Sequence, residues 1–312
     1  MIAVGCSKNV RRLLALPTLL LFLGCGIAAS YRTADQKTIR DFSADRDYRK
    51  TVGVMALLNT TFFTSEQVAM PFMTAFLSGV ASTASHTALM VPGTADVPTF
   101  LWDSPRMANG EIDVFTLSGL ARQAGMNAVT SPMLMDIRVR SRDTGFWFFK
   151  DVAYSLQIQT AATIYDAITG ARLDLGILTD EIDIDEQEAA MIRGGQEIQV
   201  GDLIDVVEEM GEDLGRRMGN AIHEAKWLAS VVAVEEGQCV MMAGSDAGVA
   251  TGDRFAVMDG STVLTGLDGQ RYIVPGLQMG SITISRVALR TSSGAPESGA
   301  LPPVGSILVP EP

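Results

Sequence analysis

Between Tyr154 and Tyr165 the chain alternates more regularly than elsewhere. Tyr154, Leu156, Ile158, Thr160, Ala162 and Ile164 interleave with Ser155, Gln157, Gln159, Ala161, Thr163 and Tyr165. A period of two puts these sets on opposite faces of a strand, one apolar and the other mostly polar. The turn-forming "DAITG" follows, and Leu173 and Leu175 resume a strand. The pattern predicts a long antiparallel hairpin with one face open to water.

Upstream, "TVGVMALLN" (51–59) and "TALMVPG" (87–93) are short apolar runs that read as buried strands, and "NAVTSPMLMDIRVR" (127–140) as a third, broken or bulged at Pro132. Ser65 can cap a helix in which Val68, Phe72, Phe76 and Val80 fall four apart, with Pro71 in its early turns. "LSGLARQAG" predicts a short helix closed by Gly125. Strand, helix, strand, helix, strand is the order of an α/β layer.

The longest predicted helix covers 199–226, with Leu203, Val207, Met210, Leu214, Met218 and Ile222 in one stripe and most charges off it. Gly211, Gly215 and Gly219 form a second row. Such rows pair helices in membranes, but the charges exclude a lipid-buried helix, and the row is expected to be a low ridge that lets the sheet approach. From residue 228 short strands lie between glycine turns, which predicts a small all-β, SH3-like barrel of about five or six strands. The expected division is a signal peptide at 1–24, an anchor and tether at 25–49, an α/β domain at 50–227 and the barrel at 228–312.

The first residues change the picture. Lys8, Arg11 and Arg12 precede "LLALPTLLLFLG", an apolar run too short to span a bilayer as a mature helix, which reads as an export signal. Cys25 follows Gly24 in a stretch that resembles the lipobox of bacterial lipoproteins, so Cys25 is the expected lipidation site; an ordinary cut after Ala28 is the alternative. Losing the leader removes Cys6, and acylation would leave Cys239 without a partner, so no internal disulfide is expected. The leader also removes three of the 24 Lys and Arg while all 36 Asp and Glu remain, shifting the formal charge from −12 to −15. A surface that acidic repels nucleic acid.

Candidate chemistry is sparse. "GSDAGVATGDRF" (244–255) spaces Gly244, Gly248 and Gly252 four apart, but no Lys and Ser or Thr follow, so it is no phosphate loop. With Asp246 and Asp253 as its carboxylates it lacks the ligand pattern of a calcium loop, and it reads as a turn around Val249. The densest acidic run is "TDEIDIDEQE" (179–188). There Glu181, Asp183 and Asp185 would share one side of a strand and could hold a cation, against the plainer reading of a solvated acidic loop. His86 and His223 have no nucleophile turn beside them. "GFWFF" (145–149) reads either as a partner or membrane contact or as a buried strand start. No catalytic residue, cofactor site or metal site is expected.

"YRKTVGVMALLNTT", "GLARQAGMNAVTSPMLMDIRV" and "LQIQTAATIYDAITGARL" resemble the α/β domain shared by the flagellar assembly protein T family, the amino-terminal domain of the TolB type and the curli secretion lipoprotein CsgG. "ASVVAVEEGQCVMMAGSDAGVATGDRFAVM" with "GSITISRVAL" is similar to the carboxy-terminal barrel of the flagellar family. The resemblance covers roughly residues 50–309 through loose strand-and-turn patterns. It implies a TolB- or CsgG-like α/β sandwich followed by a barrel. It also implies a non-enzymatic lipoprotein on the periplasmic face of the outer membrane, an envelope protein complex as partner, and a homo-oligomer or ring as one form. "RVRSRDTGFWFFKDVAYSLQIQTA" alone has too little alternating apolar surface for two membrane-spanning hairpins of the CsgG kind. The alternatives are a hydrolase built on Glu181, Asp183 and Asp185, and an activator of a peptidoglycan synthase.

Overall fold

The computed structural model describes residues 37–42, 48–94, 96–146 and 149–311. The first apolar run divides into β1 (Lys50–Val54) and the short β2 (Leu58–Asn59). Helix α1 (Glu66–Thr83) begins after Ser65, and Pro71 lies inside it. Then come β3 (Thr87–Met90), α2 (Val114–Gln123) and three long strands, β4 (Ala128–Phe146), β5 (Phe149–Asp166) and β6 (Arg172–Ile184). Helices α3 (Glu186–Arg193) and α4 (Leu203–Glu224) complete this half. The sheet order is β3-β1-β4-β5-β6, with β2 beside β4; β3, β1, β2 and β4 are parallel, and β4, β5 and β6 antiparallel.

The predicted alternation is present in β5: Leu156, Ile158, Thr160, Ala162 and Ile164 are fully buried on the helix side. Pro132 does not interrupt β4. It pairs with Ala162, and on its other side lies between Thr130, the last partner of β1, and Met133, the first partner of β2, where no ladder donor is required. The register instead shifts at Met135, between Leu134 and Asp136.

Helices α1 and α4 lie parallel on one face of the sheet, burying Val68, Phe72, Phe76 and Val80 of one and Leu203, Val207, Met210, Leu214, Met218 and Ile222 of the other. The glycine row faces α1, not the sheet. A Cβ at Gly211 would lie 2.6 Å from the Phe72 carbonyl oxygen, one at Gly215 would collide with the Phe76 carbonyl, and one at Gly219 with the Thr83 hydroxyl. Gly79 of α1 returns the contact against Glu212 and Arg216 backbone. The close helix pairing is thus of the small-residue kind familiar from membranes, in a helix whose charged side faces water. On the opposite sheet face, α2 and the turn at Thr99–Leu101 pack Phe100, Leu101, Leu117, Ala121 and Met126 onto Met55 and Val129.

Beyond α4 come β7 (Ala229–Glu235), β8 (Gln238–Met241), β9 (Arg254–Met258), β10 (Val263–Thr265), β11 (Arg271–Ile273), β12 (Gln278–Val287), β13 (Ser292–Pro296) and β14 (Ile307–Pro310). Six of them close a barrel in the order β12-β13-β8-β7-β14-β9. The other two, β10 and β11, form a hairpin that docks on the first half: the Gln270 side chain bonds Val114 N and Ile112 O, and Arg271 stacks over Phe115 at 4.1 Å. No helix among the described residues is long and apolar enough to cross a membrane.

Residues 37–42 and 48–49, assigned by sequence to a tether, are packed parts of the fold. Phe42 and Tyr48 are buried, and Lys226 Nζ donates to the carbonyls of Ile39 (2.8 Å) and Phe42 (2.7 Å).

The helix contact makes a direct prediction. Gly215→Ala should lower stability by about 1–3 kcal/mol, since its methyl meets backbone and cannot be relieved by a rotamer change. Gly201→Ala, where an added Cβ meets nothing within 4 Å, should be near neutral. Urea denaturation of the two variants checks the difference.

Candidate functional site

The acidic run does not assemble into a cation site. Glu181 and Asp183 stand on the open face of β6, but the strand ends at Ile184 and Asp185 leaves it to cap α3. Asp185 Oδ1 accepts from Glu188 N (2.7 Å) and Glu188 Oε2 from Asp185 N (2.9 Å), a capping box that engages both residues. Glu181 is bound by Gln157 Nε2 at 2.9 Å, and Gln157 Oε1 in turn accepts from Arg138 and Arg140. The three carboxylates predicted to share a strand side are therefore not brought together. No group of three metal-ligating side chains occurs among the described residues. The solvated-loop reading is corrected as well, since the run is half strand and half helix start. The signal for the helix was the D-x-x-E spacing of Asp185 and Glu188.

His86 and His223 are both exposed, and Lys50 meets them through their main-chain carbonyls: Lys50 N donates to His86 O (3.3 Å) and Lys50 Nζ to His223 O (3.2 Å). Lys50 Nζ also donates to Ile222 O (2.6 Å) and Ala225 O (2.5 Å), closing the carbonyl end of α4 with a positive charge.

"GSDAGVATGDRF" is a turn, as its glycines predict. Gly248 and Gly252 have φ of 86° and 94°, and a Cβ at Gly244 would lie 2.5 Å from the Leu289 carbonyl oxygen. Its two carboxylates diverge: Asp246 is exposed, while Asp253 is buried and accepts from Tyr48 Oη (3.0 Å) and Ala250 N (2.8 Å). The Tyr48 ring lies inside the barrel end, 4.9 Å from Trp227 and 5.8 Å from Phe255 by ring centroids. This residue precedes the first strand by two positions and carried no periodic signal, so the sequence pattern could not place it.

A second buried charge lies where the β5–β6 turn meets α2. Asp166 accepts from Ile168 N (2.8 Å) and Thr169 Oγ1 (2.7 Å), and Arg122 Nη1 donates to Ile168 O (2.7 Å). Burial pushes the Asp166 carboxyl above the ordinary aspartate range, against the pull of those hydrogen bonds and of Arg122; burial likewise lowers Arg122. Asp166, Lys50, Lys226 and Asn127 line a cavity of about 160 Å3, and these side chains bond largely to backbone. Burial also raises the Cys239 thiol, which is free in the barrel core.

What the fold presents outward is an arm. The last β5–β6 pair is Tyr154 with Ile184, but β4 and β5 stay paired to Phe146 and Phe149, so a two-stranded ribbon continues about 16 Å past the sheet. "GFWFF" falls at its turn, with Trp147 and Phe148 outside the described residues. Cys25 also lies outside them.

No protein-family model matches the chain, and no curated protein sequence matches it. Among solved structures it is similar to a hypothetical protein, CT253, from Chlamydia trachomatis, at 12% identity over 56% of this chain and 98% of the other, with a TM-score of 0.33. The lipoprotein GNA1162 from Neisseria meningitidis is similar at 14% identity over 46% and 93%, with a TM-score of 0.27. The PelC dodecamer from Paraburkholderia phytofirmans is similar at 11% identity over 59% and 94%, with a TM-score of 0.31. Likenesses at this level carry no argument about the task of this chain.

Asp166 has a testable signature. Its carboxyl titrates higher folded than unfolded, so the fold is not penalised below the unfolded value. The penalty sets in as pH rises from about 4 and is complete above the folded value. Asp166→Asn removes the ionisable group. The stability of wild type minus that of the variant should therefore fall as pH rises, which urea midpoints at several pH values will read; a difference flat with pH contradicts it.

Proposed function

We propose that this chain is an exported, lipid-anchored protein of the bacterial cell envelope that works by docking onto a multiprotein assembly and catalyses no reaction of its own. The observation that carries this reading is the leader: a basic start, an apolar run and Cys25 directly after Gly24. The way the fold engages its own charged side chains supports it. Lys50, Arg122, Lys226, Asp166 and Asp253 each hold main-chain groups or a neighbouring side chain of this same fold. The arm formed by β4 and β5 is the docking element, because it stands clear of the body and carries "GFWFF" at its turn. The flagellar basal body and an outer-membrane secretion complex are the assemblies that the sequence resemblance favours, with the periplasmic face of the outer membrane as the location.

The anchor is tested by Cys25→Ser and fractionation of cells producing the full chain. The variant should leave the membrane fraction, and retention equal to wild type contradicts the reading. Photo-crosslinking from residues at the arm should trap an envelope protein in cells; crosslinks from the arm to nothing in the envelope contradict docking.

A further inference from the structure

One end of the barrel is unlike the rest of this acidic molecule. Met258 pairs with Gln278 on one side and with Ile307 on the other, which brings together the chain segments following β9, preceding β12 and preceding β14. Gly276 N and Asp259 N bond across this rim to Asp259 O and Leu277 O, and a Cβ at Gly260 would collide with the Gly305 carbonyl, so the three segments are in contact. Residues 260–267, 273–281 and 298–306 contain no Asp, Glu, Lys, Arg or His, in a chain of net charge −12. The charged residues bordering them are Lys37, Asp259, whose carboxylate accepts from Ser261 N, Asp268, Glu297, whose main-chain N–H donates to Ser281 O, and Glu311, whose carboxylate accepts from Ser281 Oγ at 2.9 Å.

The same rim exposes apolar side chains. Leu277 and Leu301 are 40% exposed, Met279 50% and Val304 61%, and Met279 and Leu301 line one cleft with Pro302 and Pro303. On the β10–β11 hairpin that rises from this end, Leu264 and Leu267 are also uncovered. Polar chain ends and loops would be the ordinary way to finish such a barrel.

The chain joins the described fold at this rim. Gln278, between Leu277 and Met279, donates its main-chain N–H to Lys37 O at 3.1 Å. Between Cys25 and Lys37 lie residues 26–36, so an acylated Cys25 is at most about 40 Å of extended chain away. We infer that the rim built from Leu277, Met279, Leu301 and Val304 is the face laid against the lipid surface, its apolar side chains entering the headgroup boundary beside the anchor. The inference rests on the lipid-anchor reading above. An uncharged rim is what allows an otherwise acidic protein to approach an anionic bilayer without repulsion, and the acyl chains bring it there.

The full acylated chain allows a direct test, because Cys6 leaves with the leader, Cys25 is blocked by lipid and Cys239 is buried. An environment-sensitive dye is placed by Leu301→Cys or Val304→Cys, and by Asp183→Cys on the open sheet face as control. Each protein is reconstituted in phosphatidylethanolamine–phosphatidylglycerol vesicles, with and without doxyl-labelled lipid. Blue-shifted emission that doxyl lipid quenches at 301 and 304, and neither at 183, is the expected result. Protein that floats with the vesicles but is unquenched at both rim sites overturns the inference while leaving the anchor intact. Protein that does not float overturns the anchor and the rim with it. A blue shift at the rim that grows with protein concentration without vesicles assigns the face to a second copy of the chain, and equally overturns the inference.

Discussion

The structure depends on three consecutive residues that enter between its two halves. The Tyr48 ring completes the barrel core against Trp227 and Phe255, and its hydroxyl satisfies the buried Asp253 carboxylate. Arg49 bonds through its main-chain N–H to Ala247 O at 3.0 Å, inside the glycine turn. Lys50 then opens β1 and closes the carbonyl end of α4. A buried carboxylate without partners is costly, and the last carbonyls of a helix have no partner within it. Each half of the protein thus leaves a defect that the same short segment of chain repairs. Residues 37–312 accordingly group as one compact unit.

That joint fixes directions. The barrel and the entry point at Lys37 lie at the Asp166 end of β5, while the arm turns beyond Tyr154 at the other end, about 56 Å away along an 18-residue strand. The parallel contact of α1 with α4 spans much of this length and is close enough that backbone meets backbone, which stiffens the body between its two ends. The barrel thus occupies one end of the body and the two-stranded ribbon extends from the other.

Much of the architecture was legible because burial imposes period. The apolar row of β5, the stripe of α4 and the four-residue spacing of α1 all follow from one buried face each, and the short glycine-bounded strands announced a barrel. What was not legible depended on partners distant in sequence. The glycine row of α4 specifies a close neighbour but not whether that neighbour is a helix or a sheet. Pro132 looked like a break because the chain cannot show that β1 and β2 leave a gap beside it. The alternation of Glu181, Asp183 and Asp185 looked like a ligand set because it runs across a strand end, where the backbone turns Asp185 away. Tyr48, Asp253 and Asp166 gave no pattern, each being a single residue whose role is set by what it meets.

The central claim is that the α/β half and the barrel are one cooperative body, joined through Tyr48 and Lys50. Native-state hydrogen exchange in increasing denaturant tests it most directly, by following the amides of Val52 in β1, Leu214 in α4 and Phe255 in β9. The account predicts that all three exchange through one global opening with a common free energy and denaturant dependence. Exchange of Phe255 through a separate opening of lower free energy, with Val52 and Leu214 still protected, would contradict it.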